Sequence, residues 1–173
     1  MYKVLLVDDE ALIREAISEN TRWKELGYEL MGTCKNGREA IERLDQEEAD
    51  LVLTDICMAY VDGMELTRYL YEKHKGVKVI IISGYDDFEY AKTAVKYQVM
   101  DYILKPITAK ELAQTLTRVK EKLDEERFQR SDMKRIRGAY MSNLPILRGR
   151  FRQMREVPVF VRDQVASARE RHR

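Results

Sequence analysis

The sequence of 173 residues predicts an α/β fold, in which helices cover both faces of a parallel β-sheet. Two observations support this prediction. Short apolar runs alternate with helical patterns along the first part of the chain, as in folds built from repeated strand–helix units. One of these runs, Val77–Ile82 (VKVIII), is almost entirely apolar, which is typical of a strand that is buried on both faces of a parallel sheet.

The predicted strands and helices follow each other in strict alternation. The strands are Tyr2–Val7, Tyr28–Cys34, Leu51–Thr54, Val77–Ile82 and Tyr102–Leu104. Helices are predicted where apolar residues recur at three- and four-residue spacing. They are Glu10–Asn20, with Leu12, Ile13, Ala16 and Ile17 on its apolar face; a second helix with Ala40, Ile41 and Leu44; Met64–Tyr71; Phe88–Tyr97; and a fifth capped by Thr108, with Leu112, Leu116, Val119 and Leu123. This order favours a flavodoxin-like (βα)5 doubly wound sheet of strand order 2-1-3-4-5, followed by a C-terminal helical extension.

The charge distribution marks a boundary within the chain. Residues 1–130 carry 20 Lys and Arg against 26 Asp and Glu, whereas residues 131–173 carry 11 against 4. We therefore expect a domain over residues 1–122, a helical linker over residues 123–147 and an Arg-rich tail over residues 148–173. Disorder, contact with nucleic-acid phosphates and a truncated output region are open interpretations of the tail.

The composition argues against a membrane or secreted protein. The chain has no uncharged apolar stretch of about 18 residues, so no membrane span is expected. Its first ten residues, MYKVLLVDDE, reach acidic residues too early for a signal peptide. The two cysteines, Cys34 and Cys57, have neither zinc-site spacing nor a disulfide framework. We therefore expect reduced thiols in a cytoplasmic protein.

Three acidic residues follow two strands that are neighbours in the predicted sheet. Asp8 and Asp9 come after the first strand and Asp55 comes after the third. Because ligands gather at the carboxyl ends of parallel strands, these carboxylates are expected to share one pocket. Their mutual repulsion would be relieved by a divalent cation, and oxygen ligands of this kind suit Mg²⁺. The alternative for each acid is helix capping, which is common after a parallel strand.

Two further polar residues are expected at the same edge of the sheet. Ser83 ends the fourth strand and is followed by Gly84, while Lys105 ends the fifth strand. A lysine beside three acids is explained by a simple salt bridge, but a hydroxyl and an ammonium at strand ends also suit a bound phosphoryl group. The set then contains a nucleophilic carboxylate and the groups that would stabilise its phosphorylated form.

Five segments of the chain resemble the receiver domain of bacterial two-component response regulators. They are VLLVDDE (4–10), LVLTDICM (51–58), DG (62–63), IIISG (80–84) and DYILKP (101–106), and the resemblance covers about residues 1–122. It implies that Asp55 accepts a phosphoryl group from a sensor histidine kinase. It also implies that Asp9, Asp55 and the backbone carbonyl of Cys57 coordinate Mg²⁺, with Asp8 holding metal-bound water.

The resemblance also implies a switch. Ser83 and Lys105 would bind the phosphoryl oxygens, and Tyr102 would fill the space that Ser83 vacates as it moves. Residue pattern alone favours a half-buried strand tyrosine at position 102. The surface formed by the fourth helix, fifth strand and fifth helix, about residues 86–120, would transmit the change and is a candidate homodimer interface.

Two segments narrow the resemblance further. TRWKELGYEL (21–30) and SGYDDFEYAKTAVKYQVMDYILKPI (83–107) resemble receivers of YesN-like regulators with an AraC-type helix-turn-helix output. Such an output domain would need on the order of 100 residues, and the chain after the receiver is shorter. We therefore hypothesise that the chain is a truncated or altered reading of a longer transcription regulator, which would contact DNA only through an output domain not seen here.

The helical linker and the loop after Asp55 each leave a question open. Residues 121–130 are rich in charge, which fits an exposed linker helix or a short coiled-coil dimer seam. Receivers usually have proline at the position of Ala59, and its absence predicts intact phosphorylation with a looser loop and weaker Mg²⁺ binding. Cys57 and Tyr85 occupy positions that tune water access to the phosphorylated acid in this family, and a bulky Tyr85 predicts slow hydrolysis.

The sequence leaves three alternatives to a phosphorylation-controlled transcription regulator. A stand-alone receiver would act by protein–protein interaction. A haloacid-dehalogenase-like phosphatase would need Asp-x-Asp after the first strand, where this chain has Asp8-Asp9-Glu10, and it would need a cap domain for which no insertion is present. A flavodoxin-like cofactor binder would need a Ser/Thr/Gly-rich phosphate loop at that position, which is acidic here.

Overall fold

The computed structural model describes residues 1–84 and 88–155 of the chain. Its strands and helices alternate in the predicted order. The strands are β1 (Tyr2–Val7), β2 (Tyr28–Cys34), β3 (Leu51–Asp55), β4 (Lys78–Ser83) and β5 (Asp101–Leu104). The helices are α1 (Ala11–Asn20), α2 (Gly37–Leu44), α3 (Gly63–Lys73), α4 (Phe88–Lys96) and α5 (Ala109–Arg155).

The five strands form one parallel sheet in the order β2-β1-β3-β4-β5, which confirms the predicted fold class. Because β1 lies between β2 and β3, the carboxyl ends of β1 and β3 are adjacent. Their register pairs Val7 with Thr54, so the residues that follow Val7 lie beside Asp55. The order of the strands therefore builds the pocket expected at the switch point of a doubly wound sheet.

Apolar side chains fill both sides of the sheet, in two clusters. The first includes Leu6, Leu53 and Ile80 together with residues of α1 and the start of α5. The second includes Leu5, Val52 and Ile81 together with residues of α2, α3 and α4. Alternate residues of each central strand thus face opposite clusters, and this is why the strands read as continuous apolar runs.

The predicted apolar face of α1 is wrong in part. Ile17 is buried and Ile13 packs against the first cluster, but Leu12 is 81% exposed and Ala16 is exposed as well. The reason is geometric: positions 13 and 17 are one turn apart and share the face toward the sheet, whereas position 12 lies about 100° away around the helix. Leu12 therefore belongs to the surface rather than to the core.

The chain divides into two compact units, Met1–Leu123 and Asp124–Arg173. In the first unit, α5 buries Leu112, Leu116, Val119 and Leu123, as its apolar spacing predicts. In the second unit, the described part is helical to Arg155 and includes Pro145, so residues 148–155 of the predicted tail are helical. Residues 156–173 lie outside the described part of the chain.

The described residues contain no helix that is long and apolar enough to cross a membrane. Both cysteines are free. Cys34 is enclosed at the end of β2, and burial raises the pKa of its thiol to about 11.

Candidate functional site

Three carboxylates meet at the carboxyl edge of the sheet. Asp8 and Asp9 directly follow the end of β1, and Asp55 is the last residue of β3. Each offers an oxygen that lies within 4.8 Å of oxygens from the other two. Asp8 and Asp55 are buried, whereas Asp9 is exposed. The structure thus brings together the three acids that the sequence singles out for a metal site.

The surroundings of Asp8 leave one of its oxygens without a good donor. Its Oδ1 accepts the backbone N–H of Glu10 at 2.8 Å, and its backbone carbonyl accepts a hydrogen bond from Arg14 at 2.6 Å. Its Oδ2 is buried and makes no hydrogen bond of good angle within the described residues, although the ammonium of Lys105 lies 3.0 Å away. A buried carboxylate oxygen in this state is suited to a cation.

Helix capping accounts for at most one of these acids. The N-cap of α1 is Glu10, whose side chain makes no capping hydrogen bond. The N-cap of α3 is Asp62, which accepts hydrogen bonds from the N–H groups of Met64 and Glu65 in a capping box. Neither Asp9 nor Asp55 occupies a cap position, and only Asp8 accepts a backbone N–H near a helix start. The capping alternative therefore explains at most one of the three.

Lys105 places its ammonium group among the carboxylates. It directly follows β5, and its backbone N–H donates to the carbonyl of Ser83 at 2.7 Å. Its Nζ lies 3.0 Å from Asp8, 3.3 Å from Asp55 and 3.1 Å from Glu10. The contact with Glu10 is one that the sequence reading missed, because Glu10 reads as the first residue of an exposed helix.

The buried charges shift each other's pKa. Burial raises the pKa of Asp55, the attraction of Lys105 opposes this, and repulsion from Asp8 adds to the rise. Burial lowers the pKa of Lys105, but its contacts with the carboxylates of Asp8 and Glu10 outweigh burial, so the net shift is upward. Lys105 thus keeps its charge, while the ionised form of Asp55 is disfavoured until a further cation is bound.

These shifts predict that Asp55→Asn stabilises the metal-free protein. A carboxyl group whose pKa is raised by folding contributes stability only when it is protonated, and it loses that contribution as the pH rises. At neutral pH the ionised Asp55 is therefore destabilising, and its removal is expected to raise the free energy of unfolding. Urea unfolding in EDTA at pH 7 measures this difference. An unchanged or lower unfolding free energy would contradict the assignment of a destabilising charge to Asp55.

Ser83 and Tyr102 lie on the two strands that complete this edge. The register pairs Asp55 with Ile82, and Ser83 with Leu104, so Ser83 is one residue beyond the partner of Asp55 and beside the start of the Lys105 segment. Ser83 is buried, and a side chain added at Gly84 would meet open space. Tyr102 is half-buried against the second apolar cluster. This position agrees with the half-buried strand tyrosine that the residue pattern favours.

The loop between β3 and α3 carries the proposed metal-binding carbonyl. The N–H groups of Met58 and Gly63 both donate to the carbonyl of Ile56, and the carbonyl of Cys57 has no partner in the described part of the chain. Glycine is required at position 63, since a Cβ there would collide with the carbonyl oxygen of Asp55. Burial and the charge of Asp55 raise the pKa of the Cys57 thiol, which disfavours its thiolate form. Tyr85 lies outside the described residues.

Comparison with known proteins places this arrangement in a family. A family profile described as "Response regulator receiver domain" matches residues 4–117. The chain belongs to the response regulator receiver family. The receiver match covers most of the chain and includes Asp8, Asp9, Asp55, Ser83, Tyr102 and Lys105.

Individual receiver-containing relatives agree with the narrower resemblance to YesN-like and AraC-type regulators. The uncharacterised transcriptional regulatory protein YesN of Bacillus subtilis is 38% identical over 119 residues, which are 69% of this chain and 32% of YesN. The transcriptional regulatory protein HptR of Staphylococcus aureus is 37% identical over 129 residues, 75% of this chain and 50% of HptR. The chain thus spans a third to a half of the length of these relatives.

Solved receiver structures support both the fold and the narrower resemblance. The REC domain of AraT, a response regulator from Geobacillus stearothermophilus, is 40% identical with a TM-score of 0.69, covering 73% of this chain and 98% of that one. A two-component transcriptional regulator AraC from Clostridium phytofermentans is 31% identical with a TM-score of 0.67 and the same coverage. Receivers are in general signalling domains that interact with histidine kinases and bind Mg²⁺ in an acidic pocket, and the phosphatase and cofactor-binder alternatives lose their support.

Proposed function

We propose that this receiver takes a phosphoryl group from a sensor histidine kinase onto Asp55 in a Mg²⁺-dependent reaction. One observation carries the proposal: three carboxylates lie within 4.8 Å of one another, and the ammonium of Lys105 lies 3.3 Å from the carboxylate of Asp55. Incubation with a phosphorylated kinase or with acetyl phosphate, read as the mass of the intact protein, tests it. The absence of any phosphoryl adduct under both conditions would contradict it.

The residues at the site fit a magnesium ion. Asp9 and Asp55 would hold it directly with the carbonyl of Cys57, while Asp8 would hold a metal-bound water. The cluster of three carboxylates supports this set, as does the carbonyl of Cys57, which has no hydrogen-bond partner among the described residues. A bound Mg²⁺ would neutralise the carboxylates and the charge that develops during transfer.

Asp55, Lys105 and Ser83 each have a proposed role in the transfer of the phosphoryl group. A carboxylate oxygen of Asp55 forms the bond to phosphorus while the bond from phosphorus to the histidine nitrogen of the kinase breaks. Lys105, already charged and close to Asp55, pairs with a phosphoryl oxygen, and the hydroxyl of Ser83 donates to another. Burial of Asp55 keeps bulk water away from the acyl phosphate that results.

Phosphorylation is proposed to switch a surface built from α4, β5 and α5. Movement of Ser83 toward the phosphoryl group would make room for the ring of Tyr102. On two of these elements, Val95 of α4 is 80% exposed and Leu104 of β5 is 42% exposed. Apolar side chains in such positions suit a homodimer interface, which sedimentation before and after phosphorylation tests.

We further propose that the output is transcription, through an AraC-type DNA-binding domain outside this chain. The similarity to YesN, HptR and the AraC-type structures supports this. The proposed parts are a receiver over residues 1–122, a helical linker over residues 123–147 and an Arg-rich tail over residues 148–173, in a cytoplasmic protein. The linker is a second candidate dimer interface, since Phe128, Met133 and Ile136 are exposed.

The sequence of the gene beyond Arg173 tests the proposed output domain. A stop codon with no helix-turn-helix region downstream would favour a stand-alone receiver.

The exposed Leu12 is expected to serve kinase docking. It lies on the first turn of α1, three residues after Asp9. Because its side chain is exposed, replacing it should leave the free energy of unfolding nearly unchanged. Leu12→Glu is expected to slow phosphotransfer from the kinase about tenfold while leaving phosphorylation by acetyl phosphate unchanged. Gln46→Glu, which adds one negative charge at an exposed position just after α2, is the control. Equal kinase rates for the two variants would exclude this role.

Ala59→Pro is expected to tighten Mg²⁺ binding about two- to threefold, because proline removes backbone freedom from the unbound loop. The expected adduct level with acetyl phosphate at saturating Mg²⁺ is unchanged. Calorimetric titration with MgCl₂ measures the affinity. An affinity equal to that of the natural protein would show that the backbone freedom of residue 59 does not weaken Mg²⁺ binding.

A further inference from the structure

The loop between β3 and α3 contains a residue in an unusual conformation. Tyr60 has a φ of 69°, a left-handed conformation that aromatic residues seldom adopt. Its side chain is 78% exposed, so burial of the ring does not explain why the backbone stays there. Ala59, which precedes it, places no ring restraint on the chain. Something else must hold this part of the loop.

The first turn of α2 makes two contacts with the loop. The backbone N–H of Gly37 donates to the carbonyl of Val61 at 3.0 Å. A Cβ at Gly37 would lie 2.7 Å from both the side chain and the carbonyl oxygen of Val61, so the approach depends on glycine. At the next position, the guanidinium carbon of Arg38 lies 5.5 Å from the centre of the Tyr60 ring. This distance is within the range of a cation–π contact.

The first turn of α2 is itself firmly anchored. The side chain of Asn36 accepts the N–H of Glu39 at 2.9 Å, and the carboxylate of Glu39 accepts the N–H of Lys35 at 2.8 Å. Asn36 is buried. These reciprocal bonds act like a capping box and fix the start of the helix. Arg38 therefore extends from a rigid element toward a loop whose own backbone is strained.

We propose that the contact between Arg38 and Tyr60 is a positioning element for the metal site. By holding Tyr60 against α2, it fixes the loop that contains Cys57 and keeps the Cys57 carbonyl directed for Mg²⁺ binding. This inference rests on the proposed Mg²⁺ site. Arg38 and Tyr60 touch neither the ion nor the phosphoryl group, and they act through the loop.

The sign of the effect separates positioning from simple electrostatics. Arg38 is a cation at the start of α2, which contacts the loop that follows Asp55. If its charge alone mattered, Arg38→Ala would remove a repulsive cation and strengthen Mg²⁺ binding. If it positions the loop, Arg38→Ala weakens Mg²⁺ binding, because part of the binding energy is spent on ordering the loop.

The test is calorimetric titration of the full chain with MgCl₂, using Arg38→Ala, Tyr60→Ala, the double variant and Tyr60→Phe. We expect each single alanine variant to weaken Mg²⁺ binding about two- to fivefold. The double variant should bind Mg²⁺ as well as the single variants do, because both changes remove the same contact. Tyr60→Phe keeps the ring and should match the natural protein. Arg68→Ala, at an exposed arginine of α3, is the charge control and is expected to bind no more weakly than the natural protein.

The outcomes separate this inference from the proposal that it rests on. Failure of the natural protein to bind Mg²⁺ would contradict the proposed metal site. Normal binding by the natural protein with equal or tighter binding by Arg38→Ala would overturn the positioning role alone. Additive losses in the double variant would also overturn it, because the two residues would then act independently. A lower melting temperature in EDTA with an unchanged Mg²⁺ affinity would assign the contact to stability and overturn the inference.

Discussion

Replacement of Asp55 by Asn is expected to abolish phosphorylation. Asp55 is the proposed phosphoryl acceptor because its carboxylate ends β3 within the acidic cluster and lies 3.3 Å from the ammonium of Lys105. The amide of asparagine keeps the size of the side chain but cannot form the acyl phosphate. Transfer from the kinase and from acetyl phosphate is therefore expected to fall by roughly 10²-fold or more.

A matched acid-to-amide change provides the control for this prediction. Asp45 is an exposed carboxylate at the end of α2 that pairs with Tyr69 and His74, and Asp45→Asn is expected to leave the rate unchanged. Radiolabel transfer from the phosphorylated kinase, followed over time, measures both variants. Full labelling of Asp55→Asn would place the phosphoryl group on another residue and contradict the proposed chemistry.

Replacement of Lys105 by Met is expected to lower the free energy of unfolding substantially. Its ammonium lies within 3.3 Å of two buried carboxylates, and its removal leaves Asp8 and Asp55 facing each other without a cation. Breaking a buried charge cluster by removing one partner costs about 2–4 kcal/mol, allowing for the partial exposure of Lys105. Urea unfolding in EDTA measures the loss, and Lys110→Met, at an exposed position of α5, is the control.

Magnesium and pH should each modulate the effect of Lys105→Met. Added Mg²⁺ supplies the missing positive charge, so it should stabilise Lys105→Met more than it stabilises the natural protein. The folded protein raises the pKa of Lys105, so its contribution is fully present below the usual lysine pKa and is lost as the pH rises through the higher, folded value. The stability gap between the two proteins should therefore narrow at strongly alkaline pH. Equal stability at pH 7 in EDTA would contradict the account of a charge cluster held together by Lys105.

The residues at strand ends could be predicted from the sequence because the topology leaves them little freedom. Once the order of the strands is known, the carboxyl ends of β1, β3, β4 and β5 must share one edge, and Asp8, Asp55, Ser83 and Lys105 must lie there. The buried strands can be recognised in the sequence by their apolar runs. The meeting of these side chains thus follows from the order of the strands and does not depend on side-chain conformation.

The features that the sequence did not reveal depend on side-chain direction. The apolar Leu12 reads as a core residue, and only the rotation of α1 about its axis places it in solvent. The long side chain of Glu10 reaches Lys105, which is 95 residues away in the chain. The contact between Arg38 and Tyr60 joins two different elements through a left-handed residue. None of these has a spacing or composition signal, because each results from tertiary placement.

The most direct test of the central claim is the mass of the intact protein after treatment with acetyl phosphate, with Mg²⁺ or with EDTA. Peptide mapping then locates the modified residue. One phosphoryl group per chain is expected on the peptide that contains Asp55 when Mg²⁺ is present, and almost none is expected in EDTA. A phosphoryl group on any other peptide, or equal modification in EDTA, would contradict it.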